Sequence, residues 1–148
     1  MESPESTTTT YDLSKKASLL KRFLASLIDG IIAGVVSAFL GKVGLLVGIA
    51  YLLVRDGLDF SFMDQRSIGK KLMKLRPVCL DGQPMDLNLS IRRNWPLILG
   101  SIGSLFSVSL GGILGLVGLI EAILVLLDSK GRRFGDKFAN TQVIEVDS

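Results

Sequence analysis

The chain has 148 residues, a formal net charge of +3, 48% hydrophobic residues and a mean hydropathy of +0.46. This length allows one domain, and the hydropathy is high for a soluble domain but ordinary for a small helical membrane protein. There is no histidine and a single cysteine, Cys79. Histidine-based catalytic triads, His-Glu-x-x-His zinc sites and an internal disulfide are therefore excluded. We expect no enzyme activity, no cofactor and no bound metal.

Residues 1–16 are polar and have almost nothing to bury, which predicts a disordered N-terminal tail before a membrane domain over residues 17–148. A cleaved signal peptide, with a cleavage site at Val36-Ser37-Ala38, is the alternative. Against it, Asp29 interrupts the apolar region, and the preceding segment is longer and more acidic than a leader needs. A retained first helix is therefore favoured.

The apolar residues form three blocks, at 19–40, 43–54 and 96–127, and most of the basic residues lie in three clusters before, between and after them. This separation argues against nucleic-acid binding. The positive-inside rule places all three basic clusters on the cytoplasmic side, so an even number of crossings must separate each cluster from the next.

That parity predicts two helical hairpins. The first has helices at 19–40 and 43–62 with a turn at 41–44, and the second has helices at 95–108 and 111–127 with a turn within 107–112. We predict an all-α integral membrane protein with four short transmembrane helices and both termini cytoplasmic, in the plasma (inner) membrane. Three crossings, or a re-entrant segment, are the alternative.

The cytoplasmic loop at 63–94 has strand character. Asp81-Gly82 predicts a tight turn between strands at 74–80 and 83–87, and the alternating segment 141–146, in the C-terminal tail 128–148, is a candidate third strand. Residues 88–94 resemble a short amphipathic helix at the membrane interface. A small cytoplasmic antiparallel β element is therefore part of the predicted fold.

An aspartate, Asp29, lies inside the first apolar block, where a carboxylate costs about 2.5–3.5 kcal/mol unless it is paired or functional. Helical spacing puts Asp29, Arg55 and Glu121 at similar depth, ~10 Å from the cytoplasmic ends of their helices. We predict that they form a buried cluster with Asp56. Three acids against one base leave excess negative charge, which a bound cation or a raised carboxyl pKa would relieve.

A structural interpretation stands beside this one. Ion pairs inside a membrane also lock helix packing, and Arg22 can reach lipid phosphates from a helix end. Small residues favour close helix approach; they recur at Ser26, Gly30, Gly34 and Ala38, at Gly44 and Gly48, and at Gly111 and Gly115.

Several stretches match one family pattern in order along the chain: RFLASLID at 22–29, RSIGKKLMKLRPV at 66–78 with DG at 81–82, RN at 93–94, and RRFGDKFANT at 132–141. In them the chain resembles the RDD family, small and mostly bacterial membrane proteins named for one arginine and two aspartates. The resemblance implies that Arg22 and Asp29 are the arginine and the first aspartate. Asp136 is our choice for the second, with Asp56 as the alternative. It also implies structural roles for the family-motif residues Gly69, Lys70, Asn94 and Thr141.

The resemblance adds an expectation of transport, for which sodium/proton exchange has been suggested in the family. One hypothesis is therefore a cation or proton transporter, with Asp29, Asp56 and Glu121 as ion-binding carboxylates and Arg55 and Arg22 as counter-charges. We expect a homo-oligomer, because four short helices enclose little space. The alternative is a non-catalytic adaptor that docks a partner through its basic cytoplasmic loop. Anionic lipid headgroups are expected at the basic loops in either case.

Overall fold

The computed structural model describes residues 10–147 and is mostly helical, with one two-stranded antiparallel sheet in that part of the chain. The elements in order are α1 (Leu19–Val54), α2 (Ile68–Leu72), β1 (Leu75–Cys79), α3 (Leu87–Phe106), α4 (Val108–Leu127), α5 (Phe134–Phe138) and β2 (Thr141–Glu145). Within the described residues, α1 and α4 are long and apolar enough to cross a membrane. The predicted disorder of residues 1–9 lies outside the described residues, whereas Lys16 forms an isolated antiparallel bridge with Ile144.

Helix α1 is broken at Gly41, where the chain reverses. Gly41 has φ 56° and ψ −133°, a conformation that glycine adopts readily because it has no Cβ. A Cβ at Gly44 would collide with the carbonyl of Val36, and one at Gly48 would lie 3.4 Å from the Cβ of Ala33. The first arm (residues 19–40) and the return arm (residues 42–54) are therefore packed antiparallel, and the predicted turn is confirmed.

The return arm ends at Val54 and does not continue to 62 as predicted. The chain turns at residues 55–57, and Gly57 passes so close to Asp86 that a Cβ there would collide with the Asp86 carbonyl. The side chains of Arg55 and Asp56 are bound by residues of the first arm, α2 and α3, as described below. The helix therefore ends at these two residues.

Helices α3 and α4 form the second hairpin, with its turn at Ser107. This residue has extended φ and ψ of −158° and 154°, and its hydroxyl accepts a hydrogen bond from the Leu110 N–H at 3.1 Å, as an N-cap does. The predicted turn region is confirmed, but α4 begins at Val108 and not at 111. Helix α3 begins at Leu87, where Asp86 caps it by accepting from the Leu89 N–H at 2.7 Å. The predicted interfacial helix at 88–94 is thus the first part of α3.

The sheet pairs β1 with β2, in register from Leu75 opposite Glu145 to Cys79 opposite Thr141. The predicted pairing of 74–80 with 83–87 is wrong, since the described residues show no strand at 83–87. The C-terminal strand β2 pairs with the edge of β1 where the predicted strand 83–87 was expected. Gly82, with φ 75°, turns the chain away from β1. The sheet packs on α1 through a small apolar cluster of Ala17, Ala25, Leu75 and Val143.

Candidate functional site

A group of charged side chains, all buried except the partly buried Arg22, lies at one level across both hairpins. Asp29 precedes Gly41 by twelve residues, and Glu121 follows Ser107 by fourteen, which places both ~18–21 Å from the two turns. We call this group the charged layer; its members are Arg22, Asp29, Arg55, Asp56, Lys70, Arg93, Glu121, Arg133 and Asp136.

Asp29 is enclosed by three donors, two from the end of the return arm and one from α2. Its carboxylate accepts from Arg55 Nη1 at 2.7 Å, from the Tyr51 hydroxyl at 3.1 Å and from the Gly69 N–H at 2.9 Å. Gly69 reaches it because α2 lies directly on the first arm, where a Cβ would collide with the Ala25 carbonyl. Asp29 therefore ties the two arms of α1 to α2.

Asp136, in α5, is surrounded by three arginines. Arg93 and Arg22 donate to it at 2.7 Å and 3.0 Å, and Arg133 Nε lies at 3.3 Å. Burial alone would raise the pKa of Asp136, but Arg93, Arg133 and Arg22 outweigh it and hold the pKa well below its ordinary value of 3.8. Thr141 Oγ1 donates to the Asp136 carbonyl at 3.3 Å. The residue thus joins α1, α3 and the C-terminal segment.

Asp56 forms the third acidic position. It accepts from Lys70 Nζ at 2.6 Å and from Asn94 Nδ2 at 3.1 Å, and Arg93 Nε lies 3.6 Å away. Burial opposes its charge, yet Lys70, Arg93 and Arg55 hold the pKa of Asp56 well below 3.8. Burial also lowers the pKa of Lys70 to about 7, although the Asp56 charge acts in the opposite direction.

Glu121 differs from the three aspartates. Its carboxylate accepts hydrogen bonds from the backbone N–H groups of Gly135, at 3.4 Å, and of Phe134. Among residues 10–147 it has no ion pair within 4.0 Å, unlike the three aspartates of the layer. It lines a cavity of about 500 Å³, the groove, between the first arm of α1 and α4. The groove has mostly apolar walls, with Arg22, Arg55 and Arg133 at the level of the layer.

The structure brings Asp29 and Arg55 into contact as predicted, but it changes the charge balance. Asp56 and Glu121 have other partners, and four further bases join them. The layer holds five bases (Arg22, Arg55, Lys70, Arg93, Arg133) against four acids (Asp29, Asp56, Glu121, Asp136). Even with Lys70 neutral, the two signs balance. The expected excess of negative charge is therefore not found, because basic residues of the loop and tail fold back beneath the helices.

The model of the RDD family matches residues 16–140. The chain belongs to the RDD family. Together with its apolar helices, this indicates a membrane protein. No curated protein and no solved structure matches the chain significantly. In this RDD protein Arg22, expected to be the family arginine, and Asp136, our choice for the second aspartate, are direct partners, and Asp56 lies in the same layer.

Sequence reasoning missed Arg93 and Arg133 as members of the site. It expected a structural role for Lys70 within a basic loop that binds lipid headgroups, and it did not predict that this side chain is buried. Asn94, by contrast, sits where the motif role suggested, since it donates to Asp56 and accepts from Arg133 Nη2 at 2.6 Å. All four residues lie within the stretches that carry the family resemblance. The family motifs were thus the feature of the sequence from which these buried partners of the aspartates could have been predicted.

Proposed function

We propose that this RDD protein crosses the plasma (inner) membrane four times, as two hairpins with both termini in the cytoplasm. The parity of the basic clusters supports this. So does the position of the charged layer, which lies at the ends of the hairpins away from the turns at Gly41 and Ser107. The sheet, α2 and α5 then lie on the cytoplasmic side.

Cysteine labelling tests this topology. In a Cys79→Ser background, Lys42→Cys and Ser109→Cys should react with a membrane-impermeant maleimide added outside intact cells. Lys74→Cys is the matched control and should react only after the membrane is opened. Labelling of position 109 only after opening would leave α3 and α4 as a re-entrant or single crossing.

Within this topology we propose a cation or proton transporter in which Glu121 is the ion-handling carboxylate. The observation behind this is that Glu121 lines the groove without an ion pair in the described residues, whereas Asp29, Asp56 and Asp136 are each fixed by basic partners. Asp29 and Asp56 then serve as structural anchors, with Arg55 and Arg22 as fixed charges. A group that must bind and release an ion has to be reachable and free of a permanent partner.

Flux measurements in liposomes separate these roles. Glu121→Gln should abolish sodium-, potassium- or proton-coupled flux while the protein still inserts and elutes as a single species. Glu145→Gln, which alters an acid beside the sheet, is the matched control and should leave flux unchanged. Wild-type flux in Glu121→Gln would remove the proposal. Loss of flux in a well-folded Asp29→Asn variant would show that Asp29 is the ion-binding carboxylate, as the sequence predicted.

The adaptor hypothesis has an observation of its own. Four lysines, Lys15, Lys16, Lys21 and Lys74, and two acids, Glu145 and Asp147, line a surface cavity of about 540 Å³ beside β2. Lys21 and Lys15 pair with the acids, and the remaining positive charge suits acidic headgroups or an acidic protein segment. A photo-crosslinker at position 74 should then yield one discrete adduct in cells, and one at position 42 should not. If no adduct forms and flux depends on Glu121, the adaptor hypothesis is rejected and the transporter hypothesis is supported.

We also propose a homo-oligomer. A Cβ added at Gly30 or Gly34 would meet no atom within 4 Å, so the first arm offers a flat face to a second helix. The mass of the detergent-solubilised particle tests this. Gly30→Leu should shift the particle to the monomer mass, whereas a monomeric wild type would contradict the proposal.

A further inference from the structure

A second, much smaller cavity lies inside the charged layer. Its volume is about 20 Å³, and five of its nine lining residues are basic: Arg22, Arg55, Lys70, Arg93 and Arg133. No acid of the described chain lines it. The aspartate carboxylates of the layer pair with these bases without lining the cavity, so its charged lining residues are all positive.

Two of the lining residues carry unsatisfied donors. Within residues 10–147, Arg55 Nε and the Nε and Nη1 of Arg93 are buried without a hydrogen-bond acceptor, since the Asp56 carboxylate, 3.6 Å from Arg93 Nε, is beyond hydrogen-bond distance. These two residues are only 3% and 1% exposed. Buried guanidinium N–H groups normally have an acceptor, because leaving them unsatisfied costs their full desolvation. Two arginines that line one cavity therefore have donors available to an acceptor from outside the chain.

The charge and the volume define that acceptor. Five bases against four acids leave one positive charge when Lys70 is protonated, which one monovalent anion would neutralise. About 10–15 Å³ is enough for one water-sized particle, so a cavity of about 20 Å³ suits a single-atom ion better than a phosphate. We infer that the small cavity binds one chloride-sized monovalent anion, which is held by Arg55 and Arg93.

An entry route is present. Arg22, Ser26, Arg55 and Arg133 line both the small cavity and the groove, so an anion can pass from the groove to the arginines. This inference goes beyond the proposed transport activity. It requires no movement of ions across the membrane, and the following tests use no flux measurement.

The first test is the thermal stability of the purified, lipid-free protein in detergent. Sodium chloride or bromide should replace sodium gluconate at constant ionic strength, because gluconate is too large for the cavity. Saturable halide binding should raise Tm by about 3 °C or more for a tenfold excess over the dissociation constant. An unchanged Tm, or a rise only with phosphatidylglycerol, would overturn the inference in favour of water or a lipid phosphate.

The second test replaces the proposed anion with a carboxylate of the chain. The arginines themselves are left unchanged, because a variant without one of them risks failing to fold. Ser26→Asp places a carboxylate at the mouth of the cavity and should raise Tm in gluconate and abolish the response to halide. Ser26→Asn has nearly the same size without the charge and should keep the response. An undiminished halide response in Ser26→Asp would place the ion elsewhere and overturn the assignment.

Anomalous diffraction from crystals grown in bromide gives the position directly. A peak within 4 Å of the Arg55 and Arg93 guanidinium groups supports the site. Peaks confined to surface lysines would show an adventitious ion only, and the inference would fall.

Discussion

The turn-side halves of the hairpins and the charged layer differ in which side chains they bury. Near the turns, large apolar side chains face outward, with Phe39 85% and Val108 89% exposed, while glycines bring the helices together. In the layer, the most fully enclosed side chains are those of arginine and aspartate, and Asn94 is enclosed beside them. Apolar burial contributes little between helices in lipid. The difference indicates that polar contacts, and not a hydrophobic core, determine how the helices, loop and tail are joined.

Asp136→Asn should have the largest effect on stability. It leaves Arg22, Arg93 and Arg133 without their shared carboxylate, and breaking a buried ion pair from one side costs about 3–5 kcal/mol. We expect little folded protein in detergent, measured by size-exclusion chromatography and chemical unfolding. Asp128→Asn is the matched control, since its partners Arg132 and Lys137 are partly exposed, and it should cost about 1 kcal/mol or less. Equal stabilities would show that the layer does not support the fold.

Acid should lower the free energy of unfolding through the same charged layer. Asp56 and Asp136 have pKa values below 3.8 in the folded protein, so their contribution is complete at pH values above the unfolded pKa. It is lost as pH falls below about 4, because the unfolded chain then binds protons first, at about 1.4 kcal/mol per pH unit for each group. Unfolding free energies between pH 7 and pH 2 test this. A protein equally stable at pH 2 and pH 6 would contradict it.

Two glycine substitutions should have effects of opposite sign. Gly69→Ala introduces a Cβ that collides with the Ala25 carbonyl and displaces the N–H that binds Asp29, so we expect a loss of about 1–3 kcal/mol. Gly30→Ala meets no atom within 4 Å and should be neutral or stabilising by up to about 1 kcal/mol. Chemical unfolding of the two variants side by side gives the comparison. A stable Gly69→Ala would mean that α2 does not lie on the first arm.

Local sequence signals predicted the outer half of the molecule well. Gly41 and Ser107 lie in the two turn regions that were expected, because glycine tolerates positive φ and serine caps a helix N-terminus. The family motifs also identified the chain correctly, since they recur in fixed order around the apolar blocks. The alternation of 141–146 predicted a strand there, although as a third strand beside a hairpin of 74–80 with 83–87 and not as the partner in a two-stranded sheet.

The charged layer could not be predicted in the same way. Lys70, Arg93 and Arg133 lie in segments that are basic and polar, and such residues are usually solvated or bound to lipid. Their burial depends on α2 and α5 folding back onto helices far away in the sequence, with contacts such as Arg22 to Asp136. The helix bounds at 54 and 87 were missed for the same reason. Spacing within one helix gives the depth of a side chain but not which distant loop will cover it.

The central claim is that fixed ion pairs in the layer hold the hairpins together, and the Asp29–Arg55 pair, 2.7 Å apart, tests it most directly. The measurement is a double-mutant cycle of unfolding free energies with Asp29→Asn, Arg55→Gln and the combined variant. Residues in direct contact couple by about 0.5–3 kcal/mol, and we expect at least about 2 kcal/mol here, so the double variant should be less destabilised than the two single variants added together. Additive effects within about 0.5 kcal/mol would show that the two side chains do not act as a pair and would contradict the account.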